Sequence, residues 1–361
     1  MRCRDASWLT LGLLVACSER KGADSGSVRS ADDTATESCE ADQGCLLATE
    51  LPYGLLSVQA MADDDVWIVG SSPKEPDGTG PAILHLSGDA WERLDTSAWE
   101  GAELWWAWIQ EDEAIFVGNQ GLILELDMAS GTLTRKDGPA ADVTFFGVWG
   151  ATSEDVWAVG MTGGGEGPRA LWRRVDGVWS AWVDDDLGEG PDGLVYFKVH
   201  GTASDDVWMV GTAGTTAHFD GSRLVEVATP SETAPLLTVD ASPAYPVAVG
   251  GAGNGLLLEF DGSQWLDKSP EFQPGLNGVC SRADVQWAVG QHGSRALRLS
   301  DGTWESDMDR GFGPLTYEDW HGCAVTPSGA LWSVGGRIAA RPLTNGVIGF
   351  QGKTVPPDLE Y

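Results

Sequence analysis

Short apolar runs separated by polar turns fill the chain between residues 51 and 351. One run, Asp155–Gly160 (DVWAVG), has no polar side chain after its first residue, which predicts a strand buried on both faces. The run recurs as Asp65–Gly70 and Asp206–Gly211, and looser copies end at Gly118, Gly250, Gly290 and Gly335. Successive final glycines lie 39 to 51 residues apart, which indicates a sevenfold internal repeat.

The second half of each repeat predicts a tight hairpin. Pairs of Asp-Gly or Asn-Gly separate apolar runs at 176–177, 220–221, 261–262, 301–302 and 345–346. Such pairs favour two-residue turns, because these turns need positive φ. Each repeat is therefore predicted to form four strands, A to D. Seven repeats between about Leu51 and Gln351 predict an all-β fold, a seven-bladed β-propeller of four-stranded antiparallel blades. A tandem array of immunoglobulin-like domains is disfavoured, because one repeat is too short for a sandwich.

The sequence leaves two ways to close the ring. Cys45–Leu51 resembles a D strand, so an N-terminal strand could complete the last blade. Against this, Asn345-Gly346 followed by Val347–Phe350 predicts that the last repeat has its own C–D turn and fourth strand. We therefore expect the first and last blades to meet by side-chain packing alone.

The first 44 residues predict export and tethering. Arg2 and Arg4 precede a nine-residue apolar stretch, Trp8–Ala16, which is shorter than the roughly 20 residues that span a bilayer. Residues 14–17 (LVAC) resemble the lipobox of bacterial lipoproteins. This resemblance implies a signal peptide over 1–16 and lipidation of Cys17, the alternative being an ordinary signal peptide with a chance cysteine. Residues 17–44 are poor in large apolar side chains and predict a disordered acidic tether before a propeller domain at 45–361.

The formal net charge of −32 argues against nucleic-acid binding, which needs a basic face. The favoured interpretation of this charge is a solvated acidic surface, the alternative being attraction of cations or basic partners. The predicted anchor indicates an extracytoplasmic protein at the outer membrane or cell surface, attached to the membrane through lipid only. We expect it to be a monomer. Its expected partner is an envelope protein or a glycan.

Four cysteines of the predicted exported domain fall into two pairs. Cys39 and Cys45 are close in sequence and predict a local disulfide. Cys280 and Cys323 align in one column of strand A in consecutive repeats, which predicts an inter-blade disulfide, with two free buried thiols as the alternative. The other repeats place candidate channel-lining residues in this column: Gln59, Trp108, Trp149, His200 and Asp240.

Loop lengths predict which face binds ligands. The A–B loops are short and alike, whereas the B–C and D–A connections vary, and both emerge on the same face of a four-stranded blade. Varied loops on a rigid scaffold usually hold ligands, so we expect binding on this face. The candidates there are Trp99, Trp105, Asp184, Asp186, Tyr317 and Trp320. The acidic run Asp184–Asp192 offers oxygen ligands of the kind that calcium prefers but lacks EF-hand spacing, so a solvated loop without a cofactor is favoured.

Ser300–Trp304 (SDGTW) is similar to a shortened Asp-box, with weaker copies at Asp261–Trp265 and Asp176–Trp179. The repeats thus resemble those of Kelch-type and Asp-box-type propellers, and the DVWxVG copies resemble repeats in bacterial surface lipoproteins of unknown role. The resemblance implies the fold and a turn-stabilising role for the box, so no catalytic residue is carried over. Asp-box sialidases need an arginine cluster, whereas the arginines here lie mostly in predicted C strands or near turns. We expect a ligand-binding or scaffold module, the alternative being a glycan-active glycosidase or lyase.

Overall fold

The computed structural model describes Cys39 and residues 44–75, 78–163, 169–182, 194–241 and 246–359. These residues belong to one unit, Ser38–Tyr361. The described part of the chain contains seven antiparallel sheets of four strands each. The predicted seven-bladed β-propeller is therefore confirmed.

The strands follow the repeats in order. The first strand, β1 (Cys45–Leu51), precedes blade 1, which contains β2 (Leu55–Ala62), β3 (Asp65–Gly70), β4 (Ile83–Ser87) and β5 (Ala90–Arg93). Blade 2 contains β6 (Leu104–Ile109), β7 (Glu113–Gly118), β8 (Ile123–Asp127) and β9 (Thr132–Arg135). Blade 3 contains β10 (Thr144–Thr152), β11 (Asp155–Met161), β12 (Arg169–Val175) and β13 (Val178–Ala181). Blade 4 contains β14 (Tyr196–Ala203), β15 (Asp206–Gly211), β16 (Thr216–Phe219) and β17 (Leu224–Glu226).

The remaining blades have the same order. Blade 5 contains β18 (Leu236–Asp240), β19 (Val247–Gly250), β20 (Leu256–Phe260) and β21 (Trp265–Asp267). Blade 6 contains β22 (Leu276–Arg282), β23 (Val285–Gly290), β24 (Arg295–Arg298) and β25 (Trp304–Ser306). Blade 7 contains β26 (Asp319–Val325), β27 (Leu331–Arg337) and β28 (Thr344–Gln351). The apolar side chains of adjacent blades pack face to face between the sheets.

The repeated Asp and Trp of strand B act together. In blade 1, Asp65 Oδ1 accepts a hydrogen bond from Trp67 Nε1 at 3.1 Å and lies 2.9 Å from His85 Nε2 on strand C. The His85 ring stacks on Trp67 with 3.7 Å between centroids. Blade 4 repeats this arrangement with Asp206, Trp208 and His218. These side-chain contacts therefore hold the beginning of strand B against strand C.

The repeated glycine at or near the end of every strand B permits a close backbone contact. A Cβ atom at any of the seven positions would lie 1.7 to 2.2 Å from the carbonyl oxygen of the residue that precedes the glycine's pairing partner in strand A. No side chain fits at such a distance. These glycines are 70, 118, 160, 211, 250, 290 and 335.

The ring closes by strand exchange, so the prediction of closure by packing alone is wrong. The fourth sheet position of blade 7 is occupied by β1, which pairs antiparallel with β28 in the order β1-β28-β27-β26. Asn345-Gly346 lies inside β28 and not in a C–D turn, although Asn345 has the positive φ that suggested one. Leu51 of β1 is buried among the side chains between blades 7 and 1, and this apolar burial stabilises the pairing of β1 with β28.

The structure contains both predicted disulfides, Cys39–Cys45 and Cys280–Cys323, with Cα separations of 5.2 and 5.7 Å. The predicted alignment of the second pair was wrong by one residue. Leu276 and Trp320 are equivalent, because each pairs with the glycine that ends strand B. Cys323 therefore matches Val279, and the disulfide joins neighbouring columns of consecutive blades.

Candidate functional site

In each A strand, the residue that follows the partner of the strand B glycine lies in a ring near the end of the channel where the D–A connections enter. We call these residues the channel mouth: Leu56, Trp105, Phe146, Phe197, Leu237, Asn277 and His321. The Trp105 ring contacts Phe146 edge-on at 5.0 Å and His321 at 5.7 Å, and Phe146 contacts Phe197 at 5.6 Å. Trp105 and His321 come from blades 2 and 7, with blade 1 between them, so the channel is narrow here.

The orientation of Trp105 is fixed by a charged pair from two variable connections. Its Nε1 donates to Glu103 Oε2 at 3.1 Å, and Glu103 precedes strand β6. Arg341, from the B–C connection of blade 7, donates two hydrogen bonds to the same carboxylate, both at 2.7 Å. The hydrogen bond to Glu103 raises the pKa of Arg341 above its ordinary value. These hydrogen bonds therefore hold the indole ring of Trp105, the largest side chain of the channel mouth, in one orientation.

One charged side chain, Lys198, lies in the next ring of the A strands. This third ring consists of Ser57, Trp106, Gly147, Lys198, Thr238, Gly278 and Gly322. Lys198 is only 4% exposed, its Nζ donates to the Phe146 carbonyl at 2.6 Å, and the Nζ lies 4.2 Å from the centre of the Trp106 ring. A Cβ at Gly147 would lie 3.0 Å from the Lys198 Cα, so this glycine brings strands β10 and β14 together.

Burial makes the charged form of the Lys198 side chain less stable. Desolvation lowers the pKa of Lys198 from 10.5 to about 7. Among the described residues, no carboxylate forms an ion pair with it. His321 is also affected: desolvation, with the nearby Lys198 charge, lowers its pKa to about 3. Neutral His321 places Nδ1 against the Leu56 carbonyl oxygen, to which it donates.

Residues of the predicted channel-lining column occupy the opposite end of the channel, toward the A–B loops. Gln59, His200 and Asp240 line a pocket of about 160 Å³ there, together with Ser281, whose Oγ donates to Asp240 at 2.7 Å. Burial lowers the pKa of His200 below its ordinary value.

The two tryptophans of that column fill space between blades. A Cβ at Gly150 would lie 2.9 Å from the Trp108 ring, and a Cβ at Gly201 would lie 2.7 Å from the Trp149 ring. Each ring therefore covers a glycine of the following blade.

The binding-face candidates have different environments. Trp105 is part of the channel mouth, and Trp99 is half-buried in a single 3₁₀ turn, Ser97–Trp99. Tyr317 is 83% exposed. Asp184 and Asp186 lie outside the described residues.

Trp320 is not available for stacking on a ligand, which corrects its assignment as a binding-face candidate. It is fully buried and packs between blades 6 and 7. Its ring also covers Gly349, where a Cβ would lie 2.7 Å away. Trp320 pairs with Gly335 at the first position of strand A, which in every blade holds a buried side chain.

Sequence reasoning missed five residues of the site: Trp106, Phe146, Phe197, Lys198 and His321. A signal for one was present, since Lys198 interrupts the otherwise apolar start of β14. Within the described ranges, no cluster of three or more His, Cys, Asp or Glu side chains could hold a metal ion, and the acidic run considered for calcium is not described. No helix in the described part of the chain is long and apolar enough to cross a membrane.

Comparisons with known proteins support the fold but assign the chain to no family. No family model matches the chain, and neither does any curated protein. Among solved structures, YCF48 from Cyanidioschyzon merolae is similar at 13% identity and a TM-score of 0.61, over 85% of this chain and 98% of that one. A structure of YCF48 bound to D1 peptide has 14% identity and a TM-score of 0.58, with 84% and 94% covered.

A third similar structure is the extracellular domain of a putative one-component system from B. thetaiotaomicron, with 11% identity and a TM-score of 0.58. The match covers 84% of this chain and 38% of that chain. At such identities the likeness concerns the architecture alone. The chain is thus similar in fold to other β-propellers, without an assigned family.

Proposed function

We propose that this protein is a lipid-anchored, extracytoplasmic β-propeller that binds a segment of another envelope protein at the channel mouth. One observation carries the proposal. The aromatic side chains of the channel mouth narrow the channel above a buried lysine, Lys198, which has no carboxylate partner among the described residues. Binding sites are typically apolar recesses with a few placed polar groups, and this arrangement fits that pattern.

The chemistry of the mouth favours a peptide over a glycan. The ring planes of Trp105 and Phe146 meet at 88°, and those of Phe146 and Phe197 at 73°, so the rings present edges and crevices that suit inserted apolar side chains. The side chains of the channel mouth and of the third ring include no carboxylate, whereas glycosidases normally use a pair. The fold is also that of YCF48, of which one structure is described as bound to D1 peptide.

The membrane anchor is a separate part of the proposal and rests on the lipobox-like residues 14–17. Mass spectrometry of the mature N-terminus should find an acylated Cys17. The Cys17→Ser variant should move from the membrane to the soluble fraction. An unmodified N-terminus beginning at Ser18 or later contradicts this part.

Binding at the mouth predicts a selective loss of affinity. Peptides selected from a random phage-displayed library on the full chain in detergent should bind the Trp105→Ala variant at least 10-fold more weakly, because a hot-spot ring is worth about 2 kcal/mol or more. The control is Val178→Ala, since Val178 is exposed on the outer strand of blade 3. Equal binding to wild type and Trp105→Ala, measured by interferometry, contradicts the proposed site.

A further inference from the structure

The Lys198 ammonium has hydrogen-bonding capacity that the fold leaves unused. It carries three N–H donors, and its hydrogen bond in the structure is the one to the Phe146 carbonyl. The neighbouring Thr238 hydroxyl is committed to the Asn277 carbonyl at 2.6 Å. The Trp106 ring stabilises the cation through its face but accepts no strong hydrogen bond. An acceptor that enters from the mouth would therefore find free donors.

The energetics favour an anionic acceptor. A buried ammonium without a counter-charge is costly, and a carboxylate that reaches it recovers much of that cost. The neutral His321 beside it does not compete for the anion as a second cation. Because the chain as a whole carries −32, an anion is not drawn in from a distance, and recognition depends on the short-range contact.

The narrowness of the channel favours a chain end over a continuous segment. Rings from blades 2 and 7 already meet across the mouth, and three glycines of the third ring bring neighbouring A strands together below it. A continuous peptide would have to enter and leave through the same opening, whereas a terminus enters once. The last residue of a peptide carries a carboxylate and a side chain on one carbon, which matches a lysine beside aromatic rings.

We propose that Lys198 binds the C-terminal carboxylate of a partner protein whose last side chain is apolar and packs between Trp105, Phe146 and Phe197. This inference rests on the proposed function and names the ligand group that the mouth recognises. The side chains that face Lys198 come from blades 2 and 7, namely Trp106 and His321, and the Phe146 carbonyl comes from blade 3. Of the described residues, none of those facing it brings a competing carboxylate.

The test compares two probes, the tripeptide acetyl-Gly-Gly-Phe with a free carboxylate and its C-terminal amide. Calorimetry on the full chain in detergent at pH 6 should show at least 10-fold tighter binding of the acid. The Lys198→Met variant should bind both probes equally, and Lys198→Gln is a second variant that retains a polar group. Lys268→Met is the matched control, since Lys268 is exposed and directly follows β21, the outer strand of blade 5.

The acid preference should also depend on pH. The ammonium form binds the carboxylate, and the pKa of Lys198 in the free protein is about 7. His321, with a pKa of about 3, stays neutral throughout this range. The preference should therefore shrink as the pH rises above 7, by up to about 10-fold per pH unit, until the acid binds no better than the amide. NMR of the lysine side chains should show the Lys198 pKa rising when the acid binds.

The outcomes separate the two proposals. If Trp105→Ala weakens both probes but acid and amide bind alike, the mouth is a peptide site and the carboxylate inference is wrong. If neither probe binds at 10 mM while library peptides depend on Trp105, the inference is also wrong. If the library peptides are indifferent to Trp105 as well, the proposed function itself is wrong.

Discussion

Replacing Lys198 with methionine is expected to stabilise the protein, and more strongly at pH 6 than at pH 9. The pKa of Lys198 is about 7 in the folded protein and 10.5 for the free side chain, so the unfolded chain binds more protons between these values. The free energy of unfolding of the wild type therefore rises with pH through this window, and the full penalty is present below pH 7. The penalty is on the order of 4–5 kcal/mol at pH 6 and falls by about 2–3 kcal/mol by pH 9.

Methionine removes this penalty but leaves the Phe146 carbonyl without its donor, which costs about 1 kcal/mol. A net gain of several kcal/mol is still expected at pH 6. Denaturant unfolding of wild type and Lys198→Met at both pH values measures it, and Lys268→Met corrects for the loss of one positive charge. A variant that is less stable than wild type at pH 6, or an advantage that does not change with pH, would show that Lys198 is a structural residue. Stabilisation together with lost acid binding would show that the lysine is kept for recognition.

Removing strand β1 should weaken the ring severely. Without residues 1–51, β28 becomes an unpaired edge, and the cluster between blades 7 and 1 loses Leu51 and the partly buried Leu47. The lost apolar burial and backbone hydrogen bonds amount to about 4 kcal/mol or more. For a domain of this size that corresponds to a fall in Tm of roughly 10 °C.

The matched control is a truncation that removes only Met1–Glu37, so that Cys39 and β1 remain. Differential scanning calorimetry should find its Tm close to that of the full chain. A synthetic peptide with the sequence of residues 44–52, added to the longer truncation, should recover part of the loss by pairing with β28. Equal Tm values for the two truncations would contradict closure by strand exchange.

The fold could be predicted from sequence because its determinants are local and repeated. The glycine that ends each strand B and the Asp-Gly turns act within one blade, so seven copies reinforce each other. Ring closure was mispredicted for the opposite reason. Cys45 pairs with Phe350 across almost the whole chain, and no local pattern reports such a contact, while Asn345-Gly346 has a turn-like composition inside a strand.

The candidate site was only partly predictable. Trp105 was found because it lies beside a variable connection, yet its contact with His321 requires blades 2 and 7 to meet across the channel. The burial of Lys198 likewise depends on several A strands converging, which the sequence of β14 alone does not specify. Trp320 shows the reverse error, since a position next to a loop proved to be the start of a buried strand.

The exchanged strand also sets the order in which the protein can fold. A ribosome releases β1 first, but its partner β28 emerges only after the strands of blades 1 to 6. Blades 1 to 6 contain only strands from their own repeats, so each can form as soon as it emerges. Strand β1 therefore stays without its partner until blade 7 has been synthesised, and the ring can become complete only after that. Termination of synthesis before β28 would therefore leave β1 without its partner and blade 7 without two of its four strands.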